Sequence, residues 1–121
     1  RIVACFAADA EFHHDGGAPV QGTDELRAFF AEALTHPRTG NAGTSTHMII
    51  NIVIELEGDH GLVQTSAIAC LASQGRNSVV LRGLRYNDEC VRTSEGWRIA
   101  RRQHRCLWEC EAPGGVVDNR L

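Results

Sequence analysis

An α+β fold follows from three features of the sequence. One amphipathic helical stretch lies near the N-terminus. Four long β-type runs follow it in series. The turns between those runs are short enough to require antiparallel neighbours. Helices come first and a meander second, which is not the alternation of a βαβ fold. Long twisted strands laid on a few helices curl. The expected architecture is therefore a cone-shaped, curved antiparallel sheet wrapped on N-terminal helices, with a cavity between them.

Each element has its own signal. Ile2-Val3-Ala4-Cys5-Phe6-Ala7-Ala8 reads as the end of a helix, and because Arg1 rather than Met stands first, an earlier helix is expected upstream. Ala10 to His14 reads as a short strand, closed by the turn residues Asp15-Gly16-Gly17. Thr23 is a good N-cap, and Asp24 and Glu25 put negative charge in the first helical turn. Leu26, Phe29, Phe30, Ala33 and Leu34 then form one apolar face. The helix should stop before Pro37, and residues 35–45 should form a loop. Strands are expected over His47–Glu57, Leu62–Ser73, Val79–Arg92 and Trp97–Glu111, with turns at 58–61, 74–77 and 93–96. The tail, 112–121, carries Pro113-Gly114-Gly115 and is expected to be loose.

Composition narrows the class. The 121 residues fit one domain, and 43% apolar with 22% charged residues is globular usage. A net charge of −3 argues against a nucleic-acid partner. The run Arg98, Arg101, Arg102, Arg105 reads as a solvated or paired strand face. The apolar run Met48 to Ile54 is too short to span a bilayer, so no membrane partner is expected. Five scattered cysteines contain no CxxC pair, which excludes zinc-finger spacing and fits reduced thiols in the cytoplasm.

Four short motifs, in order, resemble one superfamily. They are Phe6-Ala7-Ala8-Asp9-Ala10-Glu11-Phe12, Gln21-Gly22-Thr23-Asp24-Glu25-Leu26, Ser45-Thr46-His47-Met48-Ile49-Ile50-Asn51 and Gly96-Trp97-Arg98-Ile99-Ala100-Arg101-Arg102. Together they resemble the SnoaL-like branch of the nuclear transport factor 2 (NTF2)-like, or cystatin-like, superfamily. The likeness runs from residue 1 to about 108 and is nearest to the histidine-bearing dehydratases and dehydrochlorinases. It implies a pocket for a hydrophobic cyclic small molecule, no cofactor, and assembly as a homodimer or homotrimer. It also implies that a histidine at the position of His47 works with an aspartate, and often a tyrosine, on a first helix that this sequence does not contain.

His47 is the leading candidate for chemistry. An elimination needs a base near the proton that leaves and an acid near the leaving group, and an imidazole of pKa about 6.5 serves at either end. The plainer alternative is a rim histidine satisfied by backbone. His47, Ile49, Asn51 and Val53 share one strand face if no bulge intervenes, and Met48, Ile50, Ile52, Ile54 and Leu56 share the other. Arg101 is expected to share a face with Trp97 and Ile99. The resemblance implies an arginine near this point that anchors an anionic group or stabilises developing negative charge, and Arg102 is the rival for that role. Leu84, Tyr86 and Phe12 complete the expected substrate-binding set, with the Tyr86 hydroxyl a potential donor. Asp88 and Glu89 are candidate bases, but two carboxylates in a row before a turn more often face solvent. Cys70 lacks an evident base and is not expected to be a nucleophile. His13 and His14 point to opposite faces of one strand, so the pair is not expected to hold a metal. The expected function is a lyase or isomerase. The alternatives are a non-catalytic ligand-binding or subunit-docking module and a polyketide cyclase.

Overall fold

A computed structural model describes residues 1–35, 43–73 and 77–116. A 3-10 turn at Ile2–Cys5 leads into β1 (Phe6–His14), a short β2 (Val20–Gln21) and α1 (Gly22–Thr35). Four long strands follow: β3 (Gly43–Glu57), β4 (His60–Ser73), β5 (Ser78–Thr93) and β6 (Gly96–Pro113). They form one sheet in the order β2-β1-β6-β5-β4-β3. The expected end of α1 at Pro37, residues 36–42 of the expected loop, residues 74–76 of the third turn and 117–121 of the tail lie outside the described residues.

The architecture matches the expected α+β class, with several differences. β6 runs on through Ala112 and Pro113 of the expected loose tail, where Pro113 pairs with Ser78, and β3 takes in residues 43–45 of the expected loop. The segment 6–8, expected to be helical, opens β1; Phe6, Ala10 and Phe12 all turn inward, which is a strand's parity. The sheet is mixed, because β1 runs parallel to β6 while the other pairings are antiparallel. Thr23 does not cap α1: its hydroxyl donates to the Ala8 carbonyl at 3.3 Å, tying the helix start to β1. The Glu25 carboxylate instead accepts the Gln21 N–H at 2.9 Å.

The helix covers one end of one face of the sheet. Leu26 is fully buried against Phe6, Ala10 and Phe12, with Phe29 and Phe30 packed beside them. The Phe12 ring meets Phe29 edge-on at 5.1 Å and stacks on Phe30 at 5.6 Å. Phe12 is in register with Arg102, Asp88, Val63 and Ile54 in turn. That row therefore lies on the face α1 packs against, here called the helix-side face. At its far end Ile49, Ile52, Ile54 and Leu56 are more than half exposed, beyond the reach of α1.

On the opposite, outer face the Trp108 indole lies flat on Gly83. A methyl at that glycine would sit 2.1 Å from the ring. Gly83→Ala should therefore lift the indole off the sheet, cost about 1–2 kcal/mol and shift tryptophan emission to the red. An unchanged spectrum would show that the ring is not held there.

Candidate functional site

β-Bulges decide which side chains meet on the helix-side face. Between Ile49 and Asn51 the β3–β4 register slips by one residue. His47 and Ile49 therefore share the helix-side face with Ile52 and Ile54, while Asn51 and Val53 go to the outer face. His47 aligns with Ala69 and Arg82, and Ile49 with Ala67 and Leu84. The two alanines are 2% exposed and make a low floor between β3 and β5. His47 itself is exposed.

A second irregularity, between Glu89 and Cys90, inserts Ala100 into β6. Ile99 then faces the α1 core, and Arg101 is turned to the outer face. There Arg101 donates to Glu89 at 3.3 Å and stands 3.7 Å from Glu11. It does not share a face with Ile99, contrary to the unbroken alternation the sequence suggests. Arg102 takes the helix-side position. Its Nε and Nη2 donate to the two oxygens of Asp88 at 2.6 and 2.5 Å, a bidentate pair. Asp88 is 5% exposed. The same guanidinium lies 4.8 Å from the Tyr86 ring centroid. Burial pushes the Tyr86 hydroxyl above its ordinary pKa, so it stays a proton donor near neutrality.

Next to this pair lies a cluster built where β1 ends. Asp15 takes a left-handed backbone (φ +47°), which aspartate tolerates. The turn throws its carboxylate back over β6. There Oδ1 accepts the Cys106 N–H at 2.6 Å and Oδ2 accepts from Arg82 at 3.1 Å. Burial alone would raise the Asp15 pKa. The Cys106 N–H, with His104, His14 and Arg82, outweighs burial and lowers it. The His14 and His104 rings stack at 4.4 Å, and Tyr86 leans on His104 at 5.1 Å.

Burial, then the neighbouring His14, drives the His104 pKa down to about 4; Asp15 opposes this and Arg82 adds to it. The folded protein thus holds this ring neutral. The stability that depends on that neutrality is complete above pH 6.5 and is lost as pH falls from 6.5 toward 4. The gap from 6.5 to about 4 corresponds to at most roughly 3 kcal/mol, which solvent screening at the Asp15 edge reduces to about 2. Urea unfolding at pH 7 and pH 4.5 should show that drop in the native protein and a smaller one in His104→Gln. Equal drops would remove His104 as the cause.

Of the residues singled out from sequence, His47, Ile49, Leu84, Tyr86 and Phe12 share the helix-side face. Leu84 and Phe12, each 3% exposed, belong to the packed interior rather than to a wall. Arg101 and Asn51 face outward. The outer face also holds a groove of about 360 Å³ bordered by Val53, Leu62, Gln64 and Arg101. His13 pairs with Glu11 on the outer face, away from His14. The Asp88–Arg102 pairing and the meeting of His14, Asp15 and His104 were not foreseen, because both depend on strand register.

A family model described as a SnoaL-like domain matches residues 1–103. An uncharacterized protein of Mycobacterium tuberculosis, Rv2910c, is 36% identical over 67 residues, which is 52% of this chain and 44% of its own length. The chain therefore aligns with less than half the length of the curated relatives it matches. Among solved structures, hexachlorocyclohexane dehydrochlorinase LinA-type3 from Novosphingobium barchaimii superposes with a TM-score of 0.78 at 17% identity, over 96% of this chain and 78% of its own. A scytalone dehydratase-like protein from Novosphingobium aromaticivorans superposes with a TM-score of 0.75 at 17% identity, over 99% and 80%. Superpositions of this quality at so low an identity show a common fold alone.

Proposed function

The chain belongs to the SnoaL-like domain family, and from that premise we propose that it is a cofactor-independent lyase or isomerase acting on a hydrophobic cyclic small molecule over its helix-side face. His47 is the general base or acid. Arg102, rather than Arg101, is the fixed positive charge that steadies developing negative charge. The Tyr86 hydroxyl is a donor to a substrate oxygen or leaving group. The observation that carries this reading is that His47, Tyr86 and Arg102 all stand on the helix-side face. His47 is in register with Ala69 and Arg82, and Tyr86 and Arg102 lie two and three rows further along that face.

Two probes follow from the names of the structural neighbours, hexachlorocyclohexane and scytalone. Each should perturb the backbone amide signals of Ala67, Ala69, Leu84 and Tyr86. Chloride release or dehydration should accompany binding. Perturbations confined to Val53, Leu62 and Gln64 on the outer face would sink the assignment. A second reading, a binding module without turnover, is favoured by one observation: His47 is exposed and has no carboxylate partner among the described residues. Binding of both probes with no chemistry would select it. The outer face carries Met48, Val53, Leu62 and Trp108, each about half exposed, and serves in this proposal as the surface on which two or three copies associate. No helix among the described residues is long and apolar enough to cross a membrane.

A further inference from the structure

The cluster at the end of β1 has features that proton transfer at His47 does not use. His14, Asp15 and His104 each offer one ligand atom, and those atoms all lie within 4.8 Å of one another. His104 is 7% exposed, and its Nδ1 is buried 3.3 Å from Asp15 Oδ1 without a hydrogen bond to any partner. A buried ring nitrogen left unsatisfied is costly. It points to something that occupies the space between the ring and the carboxylate.

We propose that His14, Asp15 and His104 form a binding site for one divalent transition-metal ion of the zinc or cobalt type, with solvent or a ligand completing the shell. The donor set, two imidazoles and one carboxylate, is one such ions favour. Asp15 is already braced for the role: the Cys106 N–H holds Oδ1, and Arg82 holds Oδ2. Arg82 is also anchored by Glu109, 3.1 Å from its Nε, so it has a second carboxylate when Asp15 turns to the ion. Bracing of this kind around a ligating carboxylate orients it. Ligands about 2.1 Å from an ion stand roughly 3–3.4 Å apart, so the widest separation in the cluster must close by roughly 1.5 Å. His104 is fixed in the sheet. His14 is only half-buried and now stacks parallel to it, at 9°, so His14 is the ring that swings.

The site is independent of the lyase reading, and its test uses binding alone. Cobalt(II) titrated into the whole chain should give visible absorption that saturates at one ion per chain and is displaced by zinc(II). His104→Gln and Asp15→Asn should each weaken binding about tenfold or more. His13→Gln and Cys110→Ser should leave it unchanged, which separates the site from the outer-face histidine and from binding by an exposed thiol. Undiminished affinity in folded His104→Gln, or dependence on Cys110, overturns the proposal. Should His104→Gln fail to fold, the native chain decides. Zinc must move the ring resonances of His14 and His104, and shifts confined to other histidines refute the site.

Discussion

Arg102→Met is expected to cost about 3–5 kcal/mol of folding stability, because it leaves the Asp88 carboxylate buried with no counter-charge. Asp88 is 5% exposed and both of its oxygens are held by the one guanidinium. Nothing in water can replace that pairing while the sheet stays closed. The loss should appear as a fall of more than 10 °C in the melting temperature. Asp88→Leu combined with Arg102→Met should recover most of it, since removing both charges removes the need for either. The neighbouring change Arg101→Met is the control. Arg101 lies half-exposed among outer-face carboxylates, where an ion pair contributes about 0–1 kcal/mol. Equal losses at the two positions would show that Ala100 does not turn Arg101 away from the buried Asp88.

His47→Ala is expected to leave the fold intact and to lower turnover of an accepted substrate by about 10²–10⁴-fold, the range for losing a general acid or base. The side chain is exposed on the last strand of the sheet, so truncating it opens no cavity. The effect should fall on kcat, with KM little altered, because the imidazole moves a proton and does not seat the ring of the substrate. Exogenous imidazole should restore part of the rate. Turnover unchanged within twofold would assign the proton transfer elsewhere, and the binding reading would then gain.

The outline of the fold was legible because its signals are local. Leu26, Phe29 and Phe30 mark a helix by spacing alone, and the turns at 58–61 and 93–96 separate strands long enough to be unmistakable. The site was legible only in part, because two single-residue slips decide it. The irregularity beside Ile49 keeps His47 on the face of Ile52 and sends Asn51 and Val53 away from it. The inserted Ala100 exchanges the roles of Arg101 and Arg102. Alternation along a strand carries no sign of either slip, since both residue pairs are chemically alike. His104 and Asp15 were invisible as partners for another reason. They meet only because β1 lies parallel to β6, and a parallel pairing leaves no turn between its strands to announce it.

That parallel pairing also sets the order of events during folding. Glu11 finds Arg101, and His14 finds His104, across nearly the whole chain. The meander can zip hairpin by hairpin, whereas the first strand and its helix must wait for the last strand before they have a sheet to rest on. Closing so long a loop is entropically slow. Refolding should therefore run on the millisecond-to-second scale, with the aromatic cluster around Phe12 the last region to acquire protection from amide exchange.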